Sequence, residues 1–534
     1  MTRALSFLLV VALFFSFAAY TQTPGAQPEI CVTSPSQTVD YNLVCMSASS
    51  TGGTVGVTNF GNATGGLTIN GTNSVLYATN YSGTTAGDKI SACVADLPST
   101  GGTCDARGLP SGGTIPTITL AKNGATLLLP CGVFNVSGPI ILWNNGGTLS
   151  GFNLVGCGAS FDFAVGTQLN WTGGSTVPLL DLRGVRDSTF SSFSIKSDLT
   201  APLAECIRLE TWPGAVSTRR RFSNITCFSV RATGLIKGFR WCTGFDCSNG
   251  TVVGNNDLDF LSDVIVSNYD NCAYSIEGTQ SKTHMFLNST FAGQSQSQRG
   301  ICTTQGADAS TNAGSFRWYG AAGGGNNQIA DFDLGAPTDN IFISGCNFEG
   351  SKRLLQTVSA GSAIWGITIE GCRWTSNNIN ADGKAVIYKL RGALTISSMQ
   401  IENGGSLVAP TFSIESSGVP IVGNAFGNAI QSSGATAATN PFICATLPSS
   451  LCWSVMGNIV NDTATGNNFI VPNAFVSNPL TVANLPACTA NTKGNSQFVT
   501  DQNTAVAYHG AVTGGGTPGT SQRVTCDGSA YYQD

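Results

Sequence analysis

Between Asn249 and Asn288 the chain carries a dense run of acids, "GNNDLDFLSDVIVSNYDNCAYSIEG", holding Asp257, Asp259, Asp263, Asp270 and Glu277. If Leu258 and Phe260 face a core, Asp257 and Asp259 face outward together, their α-carbons roughly 6.6 Å apart along a strand. Carboxylates paired in this way divide the work of glycoside hydrolysis: one stays protonated as the acid while the other activates water or attacks carbon. These five residues are the candidate catalytic acids. The structural alternative is that they solvate an exposed face or cap turns. An elimination needs a base instead, often Arg or Lys, to take a proton beside a uronate, commonly with calcium neutralising the carboxylate. "STRRRFSN" offers Arg219, Arg220 and Arg221 for that base or for substrate binding, or as a solvated strand edge.

Aromatic rings next to such groups stack on sugar faces, and Trp318 and Tyr319 in "FRWYG" and Trp212 in "ETWPG" are candidates for this. Packing of loops is the alternative. Asp331, Asp333 and Asp339 in "ADFDLGAPTDN" alternate as oxygen ligands of calcium can, but the spacing departs from an EF-hand loop and fits turn capping. Glu349 and Glu402 fall on equivalent positions two repeats apart, a further possible carboxylate pair at about 9.6 Å. The two histidines, His284 and His509, stand alone, and Cys242 and Cys247 in "WCTGFDC" read as a local disulfide or two buried thiols before a metal knuckle. No metal site and no cofactor are therefore assigned; calcium enters only if the reaction is an elimination.

The elements that must position these groups are visible as a repeat. "IFISGCNF" from Ile341 returns as "ITIEGCRW" from Ile367, "LTISSMQI" from Leu394 and "VPIVGNAF" from Val419, at spacings of 26, 27 and 25 residues. The first, third and eighth positions are apolar and the fifth is Gly or Ser. Alternating apolar residues describe a strand with one buried face, and a small residue then bends the chain into a second strand. Weaker copies centre on Gly151, Ser192, Asn224, Asn249 and Asn288, and the long intervals from Asn249 to Asn288 and on to Gly345 read as insertions flanking a groove. A period near 25 with about three short strands is one coil of a parallel β-helix, whose coils stack at about 4.8 Å. Upstream, "TTAGDKISACVADL" sets Ile90, Cys93, Val94 and Leu97 on one helical face behind a Thr85–Asp88 capping box, which predicts a helix over the first coil. In the repeat Cys346 and Cys372 share one column and read as stacked inward thiols.

Composition narrows the classes. With 25 basic and 30 acidic side chains there is no basic stripe for nucleic acid. "MTRALSFLLVVALFFSFAAY" has the charged start, apolar run and small residues of a secretory leader, and no later stretch is long enough to span a bilayer. All 18 cysteines follow that leader, which predicts disulfides in an extracellular or periplasmic protein.

The order of capping helix, "LLLPCGVFNVSGPI", "LVGCG" and coils of the "ITIEGCRW" type resembles the pectin-lyase-like superfamily, and within it the pectate-lyase-like domains of secreted bacterial proteins and phage tailspikes. The resemblance implies an all-β, right-handed parallel β-helix that engages an extracellular polysaccharide, as a glycoside hydrolase or lyase, or as a noncatalytic carbohydrate-binding or adhesion protein. The polygalacturonase signatures Asn-Thr-Asp, Asp-Asp, Gly-His-Gly and Arg-Ile-Lys do not occur, so pectin is not indicated. The expected organisation is a leader at 1–22, a strand- and turn-rich extension at 23–76, the β-helix at 77–462, a linker at 463–487 and a small β module at 488–534 that Cys488 and Cys526 could staple. The oligomeric state has no signal.

Overall fold

The computed structural model describes residues 73–533 apart from intervening segments, the longer of which are 160–165, 248–254, 304–313, 358–363, 377–385, 404–411, 416–422, 433–441 and 500–521. Of residues 1–72 it describes three short strands, so the expected leader and most of the N-terminal extension lie outside the described residues. Residues 1–68 form one compact unit and 69–534 another. In the first, Glu29–Val32 pairs antiparallel with Val44–Ser47.

The second unit is an all-β parallel β-helix. Each coil contributes strands to three faces. Face I holds the first half of the repeat: Asp339–Ser344, Ile364–Glu370 and Gly392–Ser397 pair in parallel, with Ile341 on Ile367 on Leu394 and Ile343 on Ile369 on Ile396. Face II holds the second half, with Phe348 on Trp374 on Ile401 on Ile430. Face III is a parallel sheet of twelve strands running from Ile118–Leu120 to Phe442–Ala445. Because successive strands pair in register, with shifts only near Ile364 and Ile387 among the described parallel pairs, like side chains stack along the axis. Phe190 lies 5.1 Å from Phe222, and Ile341, Ile367, Trp374 and Phe348 are buried. Each fully buried aliphatic or aromatic side chain contributes about 1.5–3 kcal/mol, so the column, not any one contact, holds the coils together.

The bend from face I to face II demands a left-handed residue in each coil. Ser192, Asn224, Asp263 and Asn288 adopt it, then Gly320, Gly345, Gly371, Ser398, Gly427 and Gly457. Three expectations change at this corner. The fourth copy of the repeat is "GNAFGNAI" from Gly423, since Leu394 pairs with Gly423 and Ile396 with Ala425; "VPIVGNAF" mimics the apolar alternation but lies four residues early. Gly151 is left-handed at the other corner, between faces III and I. The intervals before Asn288 and on to Gly345 each contain another coil, with bends at Asp263 and Gly320, so neither is one long insertion; Asn249 lies outside the described residues.

A single α-helix among the described residues, Ala86–Ala95, buries Ile90, Cys93 and Val94, and Thr85 and Asp88 form a reciprocal capping box. At the other end of the solenoid the pairing turns antiparallel, Leu451–Met456 with Ala474–Ser477 and Ile459–Asp462 with Asn467–Ile470. The described part of the terminal module is a three-stranded antiparallel sheet, Ser496–Val499, Gln522–Cys526 and Tyr531–Gln533. It has its own core of Val499, Val524, Cys526 and Tyr531. Five disulfides occur among the described residues, Cys93–Cys104, Cys131–Cys157, Cys242–Cys247, Cys272–Cys302 and Cys488–Cys526. Cys206, Cys227, Cys346 and Cys372 are buried thiols. No described helix is long and apolar enough to cross a membrane.

Candidate functional site

The corner between faces III and I decides which acids reach solvent. Short strands Val185–Arg186, Ser217–Thr218 and Asn256–Asp257 lead into it, and Asp187, Arg219, Leu258 and Thr283 then stack there, all left-handed. The amides of the first three donate to backbone carbonyls of the coil beyond, Asp187 to Thr218, Arg219 to Asp257 and Leu258 to Lys282, and Thr283 N–H donates to Ser315 Oγ at 2.7 Å. A left-handed residue reverses the in-out alternation of a strand. Leu258 is therefore 47% exposed and Asp259 only 1%, which corrects the expectation that Asp257 and Asp259 share an outward face.

After the bends at Asp187 and Leu258 the next residue turns inward, and its side chain accepts a backbone N–H from the preceding coil. Phe152 N–H donates to Ser188 Oγ at 3.1 Å and Arg220 N–H to Asp259 Oδ1 at 3.1 Å. Asp259 also receives Arg220 Nε at 2.8 Å, Arg220 Nη2 at 2.6 Å and Trp241 Nε1 at 2.7 Å. His284 lies beside it, Nδ1 3.7 Å from Asp259 and Nε2 2.9 Å from Ser281 Oγ. Burial carries His284 down to about 4 despite the carboxylate. Arg220, Asp259 and His284 are all enclosed in the solenoid, so the first two are structural and cannot meet a polymer.

The other expected acids do not converge. Asp257 is half-buried and accepts from Thr218 Oγ1 at 2.7 Å. Asp263 is the exposed bend residue and accepts from Asn288 Nδ2 at 2.5 Å. Asp270 is half-buried where the chain enters face III. Glu277 lies on face III between Lys237 and Arg240; burial pushes it up, but the two cations outweigh burial and bring it down to about 2. A carboxyl held ionised in this way cannot serve as the acid of a hydrolytic pair. Trp318 is wholly buried in the core, which removes it as a sugar platform, whereas Tyr319 is half-exposed against Phe342 at 5.5 Å. Asp331 is interior and Asp333 nearly so, the latter paired with Arg299. Glu349 and Glu402 do share a column two coils apart, but Arg373 bridges them at 3.7 and 2.7 Å.

Two features were not foreseen. Face III carries a charged network of Asp181, Arg183, Glu205, Arg208, Glu210, Lys237, Arg240 and Glu277, with ion pairs at 2.6 Å (Arg183–Asp181) and 2.9 Å (Arg208–Glu205, Arg240–Glu205). Its sequence signal is only the alternation in "DLR", "RLE" and "KGFR", spread over distant segments. The second is a cleft of ≈ 670 Å³ at the corner, lined by Asp187, Ser188, Thr189, Arg219, Arg220, Arg221, Leu258 and Phe260. Thr189, Arg221 and Phe260 are register partners on three successive coils. Arg219 binds Asp187 through two bonds at 2.6 and 2.9 Å, and this pairing holds the Asp187 carboxyl below its ordinary range. Arg221 is exposed and has no ion pair among the described residues. The cleft thus offers fork-shaped donors beside an aromatic ring and an apolar side chain, a combination suited to an anionic, partly apolar ligand.

Among the described residues the one close group of three side chains of metal-ligating type is Glu210 with Cys242 and Cys247. The two cysteines are joined in a disulfide, and Glu210 sits by Arg183 and Arg208.

No protein-family model matches the chain, and no curated protein does. Among solved structures it is similar to the A-module of mannuronan C-5 epimerase AlgE4 of Azotobacter vinelandii, with 12% identity over 75% of this chain and 99% of that one and a TM-score of 0.43. It is also similar to a family 28 exopolygalacturonase of Yersinia enterocolitica, with 11% identity, 74% and 78% coverage and a TM-score of 0.37. A third is the tailspike gp49 of the Acinetobacter baumannii bacteriophage Fri1, a capsular polysaccharide depolymerase, with 9% identity, 88% and 80% coverage and a TM-score of 0.36. The fold assignment rests on the strand register itself.

Proposed function

We propose that this chain is an exported protein that engages an extracellular acidic polysaccharide at the corner between faces III and I. The observation that carries this reading is the cleft in which exposed Arg221 and the Arg219–Asp187 pair sit beside Phe260. The apolar leader and the five disulfides support export. Arg221 and Arg219 hold carboxylate or sulfate groups through charge-assisted bonds, and Phe260 takes a sugar face. On the same outward column of face I, Arg221 is followed by Phe260, Met285, Arg317 and Phe342, which extends the surface along the axis at one residue per coil. A linear polymer meets such a surface repeatedly.

Binding without turnover is the first reading, because Asp187, the one carboxyl lining the cleft, is held ionised by Arg219 and so cannot serve as the acid of a hydrolytic pair. Cleavage, by glycoside hydrolysis or elimination, is the second reading. It is favoured by Asp187, a carboxylate in the cleft kept ionised by Arg219 and able to activate water or take a proton beside an acidic sugar. A panel of acidic and neutral polysaccharides, read for binding, for reducing ends and for ultraviolet absorbance of unsaturated products, separates the cases. Binding to acidic members alone is the expected result; reducing ends alone indicate hydrolysis and both signals elimination. Binding to neutral members alone, or to none, would sink the proposal.

A further inference from the structure

The two corners of the solenoid solve one backbone problem with different side chains. At the bend between faces I and II the non-glycine left-handed residues up to Asn288 are Ser192, Asn224, Asp263 and Asn288, short polar residues, and three of the four are the Asn and Asp that tolerate that conformation. At the corner that forms the cleft, Gly124 and Gly151 give way to Asp187, Arg219, Leu258 and Thr283. A leucine with φ near 59° is a true outlier, and this one is also 47% exposed, so it suffers backbone strain without gaining burial. Nothing in the fold requires it, since glycine fills the same position three coils earlier, at Gly151 in the column of Asp187, Arg219 and Leu258. Leu258 lines the cleft next to Phe260 and close to Arg219 and Arg221.

From this we infer that Leu258 is a specificity-determining residue, and that the acidic glycan carries a methyl-terminated substituent which Leu258 and Phe260 receive while Arg221 holds the anionic group. The inference rests on the proposed polysaccharide-binding role of the cleft and adds the ligand's apolar group to it. An O-acetyl ester, an N-acetyl amide and a 6-deoxy sugar all present such a methyl. In an apolar contact one methyl changes affinity by about tenfold or more. Strain held at a residue that touches ligand, relieved by substitutions that weaken recognition, is the pattern expected of a binding site and not of a structural corner.

The test uses the full chain and its Leu258→Gly, Leu258→Asn and Arg221→Ala variants, with three probes: an O-acetylated uronate polysaccharide, the same polymer de-O-acetylated with alkali, and an acidic polysaccharide bearing 6-deoxy sugars. Urea midpoints are measured alongside affinities. Leu258→Asn, which takes the left-handed conformation without the unfolded-state freedom of glycine, is expected to raise the midpoint. Both Leu258 variants are expected to bind the methyl-bearing probes about tenfold more weakly and the de-O-acetylated polymer unchanged, whereas Arg221→Ala weakens all three. A wild-type preference for the deoxy-sugar probe over the acetylated one, lost in the Leu258 variants, supports the inference and assigns the methyl to the ring. Leu258 variants that bind every probe as wild type does, while Arg221→Ala fails, overturn the inference and leave the binding site standing. Wild type silent on all three acidic probes overturns the binding site itself.

Discussion

Substituting Asp259 by alanine separates a structural acid from a catalytic one. The carboxylate accepts three bonds from Arg220 and one from Trp241, and neither Arg220 nor Asp259 has measurable side-chain exposure. Removing it strands a buried guanidinium, for which breaking one partner of an enclosed pair costs about 3–5 kcal/mol, and leaves the Trp241 N–H without its acceptor at about 1–3 kcal/mol more. The two overlap, so D259A is expected to lose about 4–6 kcal/mol from the coils around it, a large part of the stability of an ordinary domain. Urea unfolding followed by tryptophan fluorescence reads this directly, since Trp241 is at the site. The double variant Asp259→Leu with Arg220→Met, which removes both charges and keeps the volume, is expected to recover most of the loss. If D259A unfolds at the wild-type midpoint while abolishing turnover of a polysaccharide, Asp259 is catalytic and the corner has been misread.

Three further outcomes follow from the coils, two from buried groups and one from a bend. Burial pushes Asp331 up to about 8 in spite of the hydrogen bonds from Ser351, Gln328 and Trp374. A raised carboxyl contributes its stability below the unfolded value and loses it as pH rises through about 8, so wild type is expected to lose up to about 6 kcal/mol between pH 4 and pH 8 through this group and Asp331→Asn none of it, measured as urea midpoints at both pH values. His284 has the opposite sign: its contribution is present above the unfolded value near 6.5 and is lost as pH falls through about 4, up to about 3 kcal/mol, and His284→Gln should flatten that limb of the acid-denaturation curve. At the bend, Gly371 has φ 59° and open space around a notional Cβ, so Gly371→Ala costs about 1–2 kcal/mol of conformational strain and Gly371→Asn less, readable by thermal melting.

The scaffold was legible because its physics is periodic. Ile341, Ile367 and Leu394 recur with the coil, and the same periodicity makes them neighbours in the sheet. The pattern failed where its apolar letters thinned: at Gly423 and Ala425 the register was taken from a nearby decoy, and Asp263 was read as an acid when it is the bend of its coil. The site was less legible for one local reason. A single left-handed residue reverses every subsequent in-out assignment, and Leu258 gives no sign in the sequence that it adopts that conformation. Asp259 was thereby assigned to solvent and belongs to the core, as does Trp318, which was read as a sugar platform from its type alone, whereas Arg219 and Arg221 do line a cleft and Arg220 between them points inward. The partners on face III, such as Arg240 with Glu205 and with Glu277, come from segments brought together only by the coiling.

The most direct measurement of the central claim is the affinity of wild type and Arg221→Ala for an acidic polysaccharide at two salt concentrations, with circular dichroism to show the fold intact. Arg221 is exposed and in no ion pair among the described residues, so its loss should leave stability unchanged. The account predicts binding by wild type that weakens with salt, and about tenfold or greater loss in Arg221→Ala, the worth of one charge-assisted contact. Equal binding by the two proteins, or wild-type binding indifferent to salt, would contradict it.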